Sequence, residues 1–127
     1  LLNTFNRQSH LFSQTGGVHS CALGDKNGII IFQEDVGRHN ALDKILGEAL
    51  LTGLDLSDKI IATSGRISSE MAIKVIKRKI PFLISRSAPT NLAVDLANKF
   101  NLTLIGFARG DKMNVYSGFS GPAVVVV

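Results

Sequence analysis

Four of the chain's six arginines, Arg38, Arg66, Arg86 and Arg109, stand beside Gly or Ser where an apolar, strand-like run ends. A guanidinium is planar, always charged and donates in a fixed fork that matches phosphate or carboxylate. The lysines follow no such rule: Lys44, Lys74, Lys77, Lys79 and Lys99 fall inside helical patterns. In an open α/β sheet the carboxyl ends of the strands form the ligand crevice. The arginines therefore read as a site for an anionic, phosphate-bearing ligand.

Each arginine sits in a polar junction. Residues 34–44, Glu-Asp-Val-Gly-Arg-His-Asn-Ala-Leu-Asp-Lys, form the densest one, where helix-start amides can hold an anion while Asp35, Arg38 and His39 orient it. Ser64-Gly65-Arg66-Ile67-Ser68-Ser69-Glu70-Met71 repeats the design; Ser68 or Ser69 caps a helix. Arg66 opposes that helix's dipole, which makes sense if an anion or a carboxylate faces it. Ser85-Arg86-Ser87-Ala88-Pro89-Thr90 is the third junction, with Thr90 as N-cap. In the fourth, residues 106–114, Phe107 offers an aromatic face and Arg109, Asp111 and Lys112 offer both charges. An exposed turn, a capped helix start or an internal Arg–Asp pair would explain parts of each junction without a ligand.

Gly16-Gly17-Val18-His19-Ser20-Cys21 invites a metal or nucleophile reading, but one Cys and three His in the chain match no zinc spacing. Cys21 reads as a small buried hydrophobe; His19, next to the double glycine, is the better site candidate. One cysteine excludes an intrachain disulfide and points to a reducing, cytoplasmic setting. The chain has 127 residues, 45% of them hydrophobic, and a net charge of +4, which suits one globular domain and a small anionic ligand. It has no Lys/Arg block interleaved with aromatics, so nucleic acid is not expected. No apolar run reaches the roughly 18 residues of a membrane helix, and no signal peptide is visible. The first residue is Leu1 rather than Met, so a longer polypeptide is expected, and no function is assigned to residues 119–127.

Periodicity supplies the elements that position these junctions. Residues 1–14 read as a helix with Leu2, Phe5, Ser9 and Phe12 on one side, and residues 15–17 as a turn. Residues 18–23 and 29–33 read as strands joined by a loop of about five residues. Residues 40–51 follow a helical stripe of Leu42, Ile45, Leu46, Ala49 and Leu50. Strands at 59–63, 80–85, 102–107 and 113–116 alternate with helices at 68–79 and from Thr90. On the last helix Leu92, Ala93, Leu96, Ala97 and Phe100 share a face. The order β-β-α-β-α-β-α-β implies an α/β fold: a mixed sheet flanked by helices, with right-handed crossovers.

Thr15-Gly16-Gly17-Val18-His19, the first three junctions and Gly106-Phe107-Ala108-Arg109-Gly110 of the fourth together closely resemble the FdhD family of formate dehydrogenase accessory sulfurtransferases. The resemblance spans about residues 4–118, and residues 1–118 are taken as one cofactor-binding domain of a longer chain. It implies a cytidine-deaminase-like three-layer fold and a role in molybdenum cofactor biosynthesis. Family members are sulfur carriers: they take persulfide sulfur from a cysteine desulfurase and pass it to the molybdenum cofactor of formate dehydrogenase. The cofactor is bound as Mo-bis(molybdopterin guanine dinucleotide), with GDP as a mimic. The implied cofactor-binding segment is Phe107, Ala108, Arg109, Gly110, Asp111 and Lys112, with Arg38, His39, Arg66, Arg86 and His19 around the remaining groups. The family's sulfur-carrying Cys-x-x-Cys loop precedes Thr-Gly-Gly-x-His and is not in this sequence, so no catalytic residue is assigned and sulfurtransferase activity is expected of the longer protein. Zinc deaminases hold their metal with His-x-Glu and Pro-Cys-x-x-Cys at two helix starts. Here those starts read Arg38-His39-Asn40-Ala41 and Arg66-Ile67-Ser68-Ser69, so neither zinc nor deamination is expected. The alternatives are a guanine-nucleotide-binding regulatory or scaffolding module without transfer chemistry, or an adaptor between desulfurase and dehydrogenase. The partners expected are these two proteins and a second copy in a homodimer, with neither nucleic acid nor membrane.

Overall fold

The computed structural model describes residues 18–109, 112–117 and 123–126. The helix expected over 1–14 and the turn at 15–17 lie outside the described residues. Seven strands form one sheet: β1 (His19–Asp25), β2 (Gly28–Asp35), β3 (Ile60–Thr63), β4 (Phe82–Ser85), β5 (Thr103–Arg109), β6 (Lys112–Val115) and β7 (Ala123–Val126). Their order is β2-β1-β3-β4-β5-β6-β7. Three helices, α1 (Arg38–Thr52), α2 (Ser69–Lys77) and α3 (Asn91–Lys99), connect β2 to β3, β3 to β4 and β4 to β5.

β1 is antiparallel to both β2 and β3, while β3, β4 and β5 are parallel. Strands β2 to β5 therefore all point one way, and the three helices start at the same end of the sheet. The three crossovers also advance in one direction, which under the right-handed rule places all three helices on one face. The main core agrees. It joins Leu42, Ile45 and Leu46 of α1, Met71 and Val75 of α2 and Ala93 and Ala97 of α3 to Leu23, Ile61, Leu83 and Leu104 of the strands. The alternate strand residues look the other way, into smaller clusters around Ala22 and Ala62 and around Ile105, Ala108 and Val115. Leu42 and Ile45 are fully buried, and each contributes about 1.5–3 kcal/mol by leaving water.

Element types follow the sequence pattern, with local differences. The hairpin loop shrinks from about five residues to the turn Lys26-Asn27, closed by the pair Asp25 and Gly28. The Asn27 N–H donates to Asp25 Oδ1 (2.8 Å), and a register shift after Leu23 leaves Ile30 as an extra, exposed residue. Leu50, placed on the α1 stripe, is exposed, because that stripe is wider than the strip of sheet α1 covers. Leu92 and Phe100 are likewise exposed: α3 packs through its small residues, Ala93 and Ala97. Ile80 and Pro81 precede β4 rather than begin it. Residues 123–126 add a strand beside β6.

Gly47 stands mid-way along α1. A Cβ added there would meet nothing within 4 Å, yet glycine in a helix interior costs about 1 kcal/mol relative to alanine. No helix of the described residues is long and apolar enough to cross a membrane.

Candidate functional site

The end of the sheet where β2, β3, β4 and β5 finish and β1 begins collects the four polar junctions. Its floor is stitched by serines. Ser20 and Ser64 exchange bonds: Ser20 N–H donates to Ser64 Oγ (2.9 Å) and Ser64 N–H to Ser20 O (3.0 Å). The buried Ser85 hydroxyl donates to Gly65 O (2.6 Å) and accepts from Ser87 N–H (2.8 Å). Ser87 Oγ donates to Ser64 O (3.0 Å), and the Phe107 N–H donates to Ser87 O (3.1 Å). A parallel bridge between Ile67 and Pro89 ties the approaches to α2 and α3. The strand-end loops thus form one connected backbone shelf.

Gly65 lies at its centre. A Cβ built on it would fall 3.2 Å from His19 Nδ1 and 3.4 Å from Arg38 Cβ, so glycine lets two junctions and the start of β1 meet. Gly106 does the same further along, where an added Cβ would sit 2.9 Å from Pro89 Cδ and from Tyr116 Cε2.

The helix starts differ. Ser68 caps α2 by accepting from Met71 N–H (3.3 Å), and Thr90 caps α3 by accepting from Ala93 N–H (3.1 Å). Among the described residues no side chain caps α1. The nearby carboxylate of Asp35 accepts instead from Gly37 N–H (3.0 Å) and pairs with Lys44 Nζ (2.9 Å). The Gly37 N–H, then Lys44 and Asn40, hold its carboxyl down at about 2. Asp35 thus shapes the turn, and among the described residues the first amides of α1 have no side-chain acceptor. Beside them, Arg38 Nε is buried with no hydrogen-bond partner among the described residues.

Of the expected site residues, His19 and Arg38 meet at Gly65. His39 lies 3.9 Å from Glu70 Oε2, Arg66 is exposed, and Arg86 donates its N–H to Thr63 O (3.2 Å). Phe107 is half-exposed at a positive φ of 52°, on the β5 stretch where register shifts against β6. Ala108 is buried beside Ile105 and Val115, so it offers a ligand its backbone only. Arg109 and Lys112 are backbone partners across β5 and β6, while Gly110 and Asp111 lie outside the described residues. The spacing of the sequence carries no sign of the Ser20–Ser64 exchange, which joins two strand ends 44 positions apart.

Cys21 is buried, and desolvation pushes its thiol up to about 12, which makes it a core residue. Among the described residues no three His, Cys, Asp or Glu side chains gather as a metal site.

The FdhD/NarQ family model matches residues 1–121. The sulfur carrier protein FdhD of Listeria monocytogenes serotype 4b (strain F2365) is 52% identical over 119 residues, covering 94% of this chain and 46% of that protein. FdhD of Bacillus subtilis (strain 168) is 46% identical over 117 residues, covering 92% and 45%. The chain thus spans about half the length of the curated relatives it matches. A crystal structure of a formate dehydrogenase accessory protein from Desulfotalea psychrophila superposes with a TM-score of 0.83 at 36% identity, covering 91% of this chain and 52% of that one. The dCMP deaminase of cyanophage S-TIM5 superposes at 0.62 with 10% identity, covering 82% and 94%, a likeness of fold alone. The fold is deaminase-like, and the chain belongs to the FdhD/NarQ family.

Proposed function

We propose that this chain is the cofactor-holding part of an FdhD sulfur carrier, binding Mo-bis(molybdopterin guanine dinucleotide) at the strand-end shelf. The observation that carries the reading is Arg38 Nε, a buried donor without an acceptor among the described residues, beside the uncapped first turn of α1 and the Gly65 cradle. A buried donor left unpaired costs about 1–3 kcal/mol, and a phosphate oxygen would satisfy it together with the helix amides. The donor set fits the cofactor: its guanine dinucleotides supply phosphates for Arg38 and Arg66, and a base for the exposed ring of Phe107. His19 and His39 border the same groups, while Arg86, Arg109, Gly110, Asp111 and Lys112 complete the proposed binding set. When bound, the cofactor supplies the molybdenum centre that accepts sulfur; the residues here bind and orient it.

In this reading a cysteine desulfurase provides the persulfide and formate dehydrogenase receives the sulfurated cofactor. Cys21, sealed in the core, does not carry the sulfur. That burial equally favours a second reading, a guanine-nucleotide-binding module that holds or regulates without transfer.

Calorimetric titration with GDP tests the site, with cytidine and inorganic phosphate as controls. GDP should bind selectively, and Arg38→Met or Arg109→Ala should weaken it by about 1.5–3 kcal/mol, roughly 10- to 150-fold. Equal affinities for GDP and phosphate would remove the guanine from the proposal. Unchanged affinity in both variants would remove the shelf.

A further inference from the structure

On the helical face, between α1 and α2, lies an open groove of about 240 Å³ with Leu46 and Gly47 at its floor and Asp43, Lys74, Lys77 and Arg78 around it. Leu50, one turn beyond Leu46 and Gly47 on α1, continues the apolar line and is 65% exposed. Asp43 is already engaged by Lys74 (2.9 Å). Lys77 and Arg78 have no carboxylate partner among the described residues.

Gly47 is the informative residue. Internal packing does not require it, because an added methyl would touch nothing, and helix propensity disfavours it. What its missing side chain does is keep the groove floor open. The opening is smaller than the 300 Å³ or more of a typical small-molecule pocket, and suits one or two anchoring side chains. The nearby cations then select acidic neighbours for those anchors. Nucleic acid would need stacking platforms, and no aromatic residue lines the groove.

We propose that the α1–α2 groove docks an acidic, leucine-bearing segment of a partner protein, in the helix-in-groove manner. Its anchor lies over Gly47 and beside Leu50, with carboxylates facing Lys77 and Arg78. The surface is separate from the strand-end shelf, so it stands or falls independently of the cofactor reading.

The test is fluorescence anisotropy with a labelled helical peptide of about four turns, carrying Leu at i, i+3 and i+7 flanked by Glu. A mirror peptide with Lys for Glu and vesicles containing phosphatidylserine serve as comparisons. The acidic peptide should bind saturably and more weakly as salt rises, and the mirror peptide should not bind. Lys77→Glu and Arg78→Glu should each weaken binding about fivefold or more. Gly47→Leu should weaken it at least about tenfold, while GDP titration stays unchanged. Gly47→Ala keeps the test open if the leucine variant fails to fold: it should raise Tm by about 3–5 °C yet bind the peptide several-fold more weakly. No saturable binding, binding indifferent to these substitutions, or capture of the vesicles without the acidic peptide would each overturn the proposal.

Discussion

Replacing Ser85 by alanine should cost far more than the loss of one hydroxyl suggests. Ser85 is fully buried at the end of β4, and its Oγ is both donor to Gly65 O (2.6 Å) and acceptor from Ser87 N–H (2.8 Å). Alanine fits the space, so no overpacking enters. It leaves a carbonyl and an amide inside the shelf without their partner. Each unsatisfied buried group costs about 1–3 kcal/mol. Partial relaxation towards water is available to Ser87, which is only half-buried, so the sum should fall at about 2–4 kcal/mol. For a domain of this size that lowers Tm by roughly 6–15 °C. Thr52→Ala is the control: its hydroxyl also makes two bonds, to Glu48 O (3.0 Å) and Ala49 O (3.2 Å), but on an exposed helix end, and the loss should stay within about 0.5 kcal/mol. Thermal melts by circular dichroism, paired with urea titration at constant slope, measure both. Equal and small shifts in the two variants would refute the view that the serine network holds the shelf together.

Two further expectations concern titration. Cys21 should be inert to a disulfide exchange reagent in the native protein at pH 8 and react fully once urea unfolds it, because the buried thiol is pushed up to about 12; rapid native labelling would contradict its burial. Asp35 has a folded pKa of about 2, below its ordinary 3.8, so its contribution to stability is present above about pH 4 and is lost as pH falls towards 2. Asp35→Asn should therefore lessen the loss of stability across that window, and an acid profile identical to the parent's would count against the Gly37 and Lys44 contacts.

Much of the fold was legible because helices and buried strands impose different periods. Leu42, Ile45, Leu46 and Ala49 of α1 repeat at helical spacing, and all are buried. What periodicity does not carry is the width of the surface a helix meets. Leu50 belongs to the same stripe but falls beyond the covered strip, and the exposed Leu92 and Phe100 flank a helix whose contact runs through two alanines. The site shows the same division. Junction arginines could be picked out from chain-local facts, a strand end and a following helix. The Ser20–Ser64 exchange joins residues 44 positions apart, and the need for glycine at 65 arises only where His19 and Arg38 converge on it. Pairwise tertiary proximity of that kind leaves no trace in spacing.

The contrast among helix starts is where stability and site chemistry separate. α2 and α3 begin with Ser68 and Thr90 accepting from their own first-turn amides, the arrangement that stabilises a helix by about 1 kcal/mol. α1 begins with Gly37, which has no side chain to accept, followed by Arg38, a cation at the positive end of the dipole. That choice forgoes a cap and adds about 0.3–1 kcal/mol of unfavourable electrostatics. Arg38 Nε is then buried without an acceptor, a third term of the same sign. None of the three offsets another within the described residues, whereas one anion at this point would reverse all of them together. Among the described residues, two helix starts are capped by side chains and the start that meets His19 and Gly65 is not; departures of that kind concentrate at functional sites.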